Sequence, residues 1–224
     1  MGIAVGPDVD YVVLESEATG RLERYLLAQG RVAAYAHDFW PGKDASAVAA
    51  RTDPSSRIVA RLKGSELVGA SYTPPFPYYV GHAHAHQVLG ADFVTTEDGT
   101  GIVHMAPGFG EDDKAALDTV GVETVVPVGP DGLFTAPVLD YAGVHVFDAN
   151  PLITEHLKAR TARDAAAVAA DPGPVTEGTV LLRKETYDHS YPHCWRCKQP
   201  LIYMAVSSWF VEVTRIKARM LELN

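Results

Sequence analysis

No single hydrophobic period persists along this chain. Short β-branched runs, alanine-rich stretches and proline clusters follow one another, and strands do not alternate regularly with helices. That pattern excludes a doubly wound parallel sheet and leaves an α+β fold, with many short strands forming a strongly curved sheet or a β-barrel-like body. Residues 10–15 (DYVVLE), 24–27 and 57–62 (RIVARL) read as strands. Residues 16–20 read as a turn and residues 28–37 as a short helix. Residues 72–79 (YTPPFPYY) hold three prolines in eight positions, which forbids a helix or a central strand and predicts an ordered aromatic loop.

Two hairpins are predicted further on. Residues 88–96 and 101–106 would pair across Glu97-Asp98-Gly99, and residues 124–128 and 133–135 across Gly129-Pro130-Asp131-Gly132. The longest helical candidate is 151–170, with Pro151 at its first position and Pro172-Gly173-Pro174 as its stop. A strand is expected at 179–183 and a helix after Thr214.

Composition narrows the class. At 224 residues, 47% apolar and 21% charged, this is an ordinary globular composition, long enough for a core without covalent staples. Two cysteines exclude a disulfide scaffold and suit a reducing compartment such as the cytoplasm. No apolar run approaches the ~18 residues of a membrane span, and the opening MGIAVGPDVDYVV has no signal-peptide pattern. The net charge of −9, without a basic stripe, argues against gripping a long nucleic-acid backbone. A nucleic-acid contact would be local, as at one strand end.

The most informative stretch is residues 99–113, GTGIVHMAPGFGEDD. An apolar strand ends at His104, a glycine-rich turn follows, and Glu111, Asp112 and Asp113 enter a helix. The positive end of a helix favours carboxylates there, and one of them suits a ligand ammonium. Helix capping is the plainer reading of the same acids. Neither G-x-G-x-x-G nor a P-loop is present, and an acidic turn repels phosphate, so a nucleotide-binding fold is rejected.

Two further clusters bear on metals. Cys194 and Cys197 form Cys-x-x-Cys before a small turn, the shape of half a zinc knuckle. A tetrahedron needs ligands that the chain's two thiols cannot supply, and His193 abuts Cys194 too closely to serve. A thioredoxin-like redox pair is the rival, disfavoured by Trp195-Arg196 and the lack of a following helix. His82, His84 and His86 would share one face of a strand and so converge on a metal, as in a metallohydrolase; surface histidines in a loop are the plainer reading.

Taken together, GTGIVHMAPGFGEDD and TYDHSYPHCWRC resemble the editing insertion of isoleucyl-tRNA synthetases. LKGSELVGASY, ADFVTTEDGTG and DYAGVHVFDAN are similar to the same family, collinearly from about Ala4 onward. Histidine at position 104 points to the isoleucine enzymes; the related valine enzymes typically carry lysine there. The resemblance implies the curved, barrel-like editing fold over residues 1–185, and a zinc-knuckle half with a return segment toward the synthetic core over 186–224.

The resemblance also implies a role: hydrolysis of valyl-tRNA(Ile) or valyl-adenylate in a pocket too small for isoleucine. Asp113 matches the family's anchor for the substrate α-amino group, and His104 the residue bordering the side-chain pocket. Ala106, Pro107 and Phe109 would shape the wall, with Tyr191 nearby. The implied partners are the acceptor end of tRNA(Ile), the valyl ester and the rest of a synthetase chain, with no membrane. ATP and Mg would belong to the parent enzyme and not to this segment. In the family the Cys194–Cys197 knuckle pairs with a second cysteine pair, absent here. Where the family has a threonine-rich segment before the stretch matching Ala4-Val5-Gly6-Pro7, this chain has Met1-Gly2-Ile3. An excised piece of a longer protein, with weak or no hydrolysis by itself, is therefore expected. The alternative is a non-catalytic module that binds or docks the tRNA acceptor end.

Overall fold

A computed structural model of the chain describes residues 1–40, 42, 57–161, 173–186 and 190–223. Two small sheets carry the described fold. In one, β1 (Gly2–Val5) lies between β5 (Val88–Gly90), to which it is parallel, and β6 (Ile102–Met105), to which it is antiparallel. In the other, β2 (Asp10–Ser16) lies between β3 (Glu23–Ala28) and β4 (Arg57–Lys63), antiparallel to both. The mixed α+β class agrees with expectation. The barrel does not: among the described residues the strands form two three-stranded sheets and no closed barrel.

The second sheet follows directly from local pattern. In β4, Ile58, Ala60 and Leu62 are half-buried while Arg57, Val59, Arg61 and Lys63 are exposed, the alternation of a one-sided strand. Helix α1 (Val32–Phe39) buries Val32, Tyr35, Ala36 and Phe39, one helical face, against Val12, Leu14 and Leu27. The first sheet packs Ala4, Leu89 and Met105 against Leu117 of helix α3 (Glu111–Asp118) and Val122. Tyr11 ties the two sheets. Its buried hydroxyl accepts the Gly6 N–H at 3.0 Å and donates to the Gly101 carbonyl at 2.6 Å. Short helix α2 (Gly64–Leu67) crosses so near that a Cβ at Gly64 would lie 2.0 Å from the Gly6 carbonyl oxygen.

Several local expectations are corrected. The strand predicted over 88–96 ends at Gly90, and β5 does not pair with β6, because β1 is inserted between them. The turn at 97–99 is instead pinned by Arg31, whose guanidinium donates to the Glu97 and Gly99 carbonyls at 2.7 Å each. The second turn does close, with Gly132 N–H bonded to the Gly129 carbonyl and a single bridge pairing Val128 with Phe134.

Helix α4 (Val146–Thr161) begins upstream of Pro151, which lies inside it. The His145 carbonyl accepts the N–H groups of Asp148 and Ala149 and so starts the helix early. The remainder of that predicted helix, 162–170, its Pro172, and Tyr187, Asp188 and His189 of the second motif lie outside the described residues. Residues 179–183 form no strand; the Leu181 N–H is taken by the Thr161 hydroxyl at 2.7 Å rather than by a ladder. Helix α5 (Val213–Glu222) forms as expected, and no residue of it is buried. No helix among the described residues is long and apolar enough to cross a membrane.

Candidate functional site

The site grows from the junction of β6 and α3. β6 ends at Met105, and the Phe109 N–H bonds the Ala106 carbonyl at 2.9 Å to close the turn. Glu111, Asp112 and Asp113 occupy the first turn of α3, where unpaired N–H groups favour negative charge. Asp113 turns back: its Oδ2 accepts the Ala106 N–H at 2.9 Å. The glycines of this turn serve close approach. A Cβ at Gly110 would stand 2.8 Å from Asp113 Oδ2, and one at Gly108 2.5 Å from the Val125 carbonyl oxygen.

A cavity of about 200 Å³ opens beside this turn. His104, Ala106, Pro107 and Phe109 line it from the turn; Tyr72, Phe76, Tyr78, Tyr79 and His86 line it from the proline-rich loop and its continuation. The loop is held in place. Phe76 lies parallel to Tyr78 with ring centroids 6.3 Å apart and meets Tyr141 edge-on at 6.5 Å. The Tyr78 hydroxyl donates to Asp140 at 3.0 Å, and burial together with that carboxylate raises its pKa well above the ordinary tyrosine value.

Met1, the first residue of the sequence, lines one corner of the cavity. The Met1 ammonium donates to the Met105 carbonyl at 2.7 Å and lies 3.3 Å from His104 Nε2. Loss of water lowers its pKa, and the charge of Asp113 opposes that shift. Solvent reaches the His104 ring, yet protein crowds its cavity side. Desolvation, then the Met1 charge, holds its pKa below the usual histidine value; Asp113 pulls the other way and His86 adds to the lowering. The neutral imidazole can therefore accept a hydrogen bond at an unprotonated ring nitrogen. Asp113 itself stands behind the wall at Ala106 and acts on this corner through its charge.

The structure gathers four of the expected residues, His104, Ala106, Pro107 and Phe109, around one cavity. Tyr191 lies elsewhere, in an adjoining apolar concavity that shares Phe109, with its hydroxyl bonded to the Leu201 carbonyl at 2.6 Å. The Cys194–Cys197 turn is formed. The Lys198 N–H bonds the Cys194 carbonyl at 2.9 Å, Lys198 takes a φ of 62°, and backbone N–H groups of Cys197 and Arg196 lower the Cys194 thiol pKa.

His193 is turned to the Tyr191 carbonyl, 2.8 Å from its Nδ1, and no group of three or more metal-ligating side chains occurs among the described residues. The histidine triplet does not share a strand face. His84 and His86 take φ values of 62° and 61°, and His82 Nε2 meets the Glu123 carbonyl at 3.1 Å while His86 lines the cavity. Sequence reasoning left His86, Phe76 and Tyr78 out of the site. The signal was there in YTPPFPYY, whose prolines stiffen a loop dense in aromatic rings.

No protein-family model matches the chain. The whole chain aligns with isoleucine–tRNA ligases: 46% identical over 225 residues to that of Mycobacterium tuberculosis, 48% over 225 to that of Mycobacterium leprae, and 42% over 236 to that of Treponema denticola. The chain corresponds, end to end, to one segment of the isoleucine–tRNA ligase family. It spans only 19% of the length of those ligases.

Proposed function

We propose that this segment is the proofreading part of an isoleucine–tRNA ligase, hydrolysing the ester of valyl-tRNA(Ile), valyl-adenylate or both. The observation that supports the reading is a small apolar cavity at the β6–α3 turn, lined by His104, Ala106, Pro107 and Phe109, with the Asp113 carboxylate behind its wall. The substrate ammonium lies on the His104 side of the cavity, where the Asp113 carboxylate supplies compensating charge. The isopropyl group lies against Ala106, Pro107 and Phe109. His104 borders that space and excludes the longer isoleucyl side chain.

Such a device answers a physical limit. One methylene is worth about 1–3 kcal/mol of discrimination in a single pocket, a figure known from this very enzyme class. A second site that admits only the smaller side chain multiplies the selection. The chemistry asks little of the protein: water attacks the ester carbonyl, the tetrahedral species collapses, and the sugar oxygen leaves with a proton. An activated ester needs its carbonyl and water held in place more than it needs a strong base. His104 is accordingly assigned a steric and hydrogen-bonding role.

The remaining parts fit the same assignment. Residues 1–185 form the editing part, and 186–224 lead back toward a synthetic core that completes the ligase. Trp209 and Phe210 are 100% and 91% exposed, an apolar surface that the rest of a ligase would cover. Cys194 and Cys197 would hold zinc only with ligands from outside the described residues; the ion's part would be structural. ATP and Mg belong to ligation elsewhere in the parent, which works in the cytoplasm. The tRNA contact is confined to the acceptor end.

The test is release of valine from valyl-tRNA(Ile) by the full-length ligase that carries this segment. Asp113→Ala is expected to abolish release and raise valine misacylation while isoleucine activation survives. Retarded tRNA mobility without release in the unsubstituted ligase would favour a docking module instead.

A further inference from the structure

We infer that the hairpin carrying the cysteine turn is a platform for a short single strand of nucleic acid, with bases stacked on Trp195, Tyr203 and Phe147 and phosphates met by Arg196 and Lys198. This rests on the tRNA-ester reading given above and deepens it by naming where the strand that leads to the ester lies. Residues 191–203 fold back on themselves. The Leu201 N–H donates to the Pro192 carbonyl at 3.0 Å, the Cys194 N–H to the Gln199 carbonyl at 2.8 Å, and a single bridge pairs His193 with Pro200. The hairpin is fastened to the β6–α3 turn by the Ala205 N–H, which donates to the Gly108 carbonyl at 2.8 Å. Its base contributes Tyr191 and Tyr203 to an apolar concavity of about 350 Å³ that Phe134 and Phe147 extend. Phe109 lines both this concavity and the candidate cavity, so the two adjoin.

Charge and ring exposure select the occupant. The chain as a whole carries −9, yet residues 190–211 hold no aspartate or glutamate, and Arg196 and Lys198 stand at the tip of the hairpin. Trp195 is 77% exposed, Tyr203 65% and Phe147 37%. The Arg196 guanidinium lies 5.0 Å from the Trp195 ring centroid, covering one face of the indole and leaving the other open to a base. Every base has a π-face and every phosphate a negative charge, so exposed rings beside cations suit a single strand. A duplex keeps its bases paired inside, out of reach of the rings, and two cations are too few to grip its backbone. The seven residues from Lys198 to Ala205 span at most about 25 Å, so the platform serves only a few nucleotides.

The experiment measures binding of a fluorescein-labelled single-stranded RNA octamer to this chain by anisotropy, with the same octamer annealed to its complement as control. The single strand is expected to bind at least about tenfold more tightly than the duplex. Trp195→Ala and Tyr203→Ala should each weaken it about tenfold, while Trp195→Phe keeps most of the affinity. Two phosphate contacts give a loss of about sevenfold between 50 and 200 mM salt, and that dependence should nearly vanish when Arg196→Gln and Lys198→Gln are combined. In the full-length ligase the two alanine substitutions should raise KM for valyl-tRNA(Ile) hydrolysis more than they lower kcat. Octamer affinity unchanged in both alanine variants, or equal affinity for the duplex, overturns the inference. So does a lowered thermal midpoint of the substituted ligase with octamer binding intact, which makes the hairpin a face covered by the rest of the ligase. In each of these cases, valine release by the unsubstituted ligase leaves the proofreading reading standing. Absence of that release overturns the proofreading reading, and the inference with it.

Discussion

At position 113 one carboxylate is asked to do two things. It accepts the Ala106 N–H, fixing the turn, and it supplies the negative charge felt at His104. Asparagine separates the two, because its carbonyl oxygen can keep the bond while the charge is lost. Asp113→Asn should leave the thermal midpoint nearly unchanged and reduce valyl-ester hydrolysis about tenfold, the scale of losing a charge that acts on the site without touching it. Asp113→Ala should also lose about 1 kcal/mol of stability in urea unfolding. A second prediction concerns protons. The folded pKa values of His86 and His104 lie below the unfolded one, so between them the unfolded chain binds protons that the folded chain does not. Stability is therefore complete at neutral pH and falls as pH drops through the histidine range. Melting curves at pH 7.5 and 5.5 should show a lower midpoint at the acid end, with a smaller difference in His104→Gln.

Among the elements, the β6–α3 turn is braced from behind as well as from within. The Ala205 N–H donates to the Gly108 carbonyl at 2.8 Å, laying the segment after the cysteine turn across the cavity wall. Ala205→Pro removes that donor. It should cost about 1 kcal/mol and lower the ratio of valyl to isoleucyl hydrolysis, with far-UV circular dichroism unchanged. Leu117, 1% exposed, joins α3 to the first sheet, and Leu117→Ala should cost about 2–5 kcal/mol in denaturant unfolding. These elements were unequally legible. β2, β3, β4 and α1 carry their signals locally, in β-branched residues, alternation and a four-residue buried helical face. The predicted β5–β6 hairpin failed because its turn residues are satisfied by Arg31 and its strands by β1, partners remote in sequence. Pro151 was misplaced because the carbonyl that starts α4 belongs to His145. In the candidate site, the turn was readable from glycines and acids in one run. The opposite wall was not, since His86 enters it only through a left-handed backbone that no spacing rule anticipates.

For the whole molecule, the charge of −9 would, on the proposed function, set how tRNA is met. With few phosphate contacts, few counterions are released on binding. Affinity of this segment for tRNA should change by less than about tenfold between 50 and 200 mM salt, and filter binding across that range measures it. Trp209, Phe210 and the whole of α5 are unburied, as the proposed assignment to a part of a larger ligase would require. What the account most needs is the selectivity of ester hydrolysis. Deacylation of valyl-tRNA(Ile) and isoleucyl-tRNA(Ile) by the full-length ligase should be compared before and after His104→Ala. The account predicts that only the valyl ester is cleaved at first, and that removing the imidazole lets the isoleucyl ester be cleaved as well. An isoleucyl ester that stays intact when His104 is removed, or a valyl ester that is never cleaved, would contradict it.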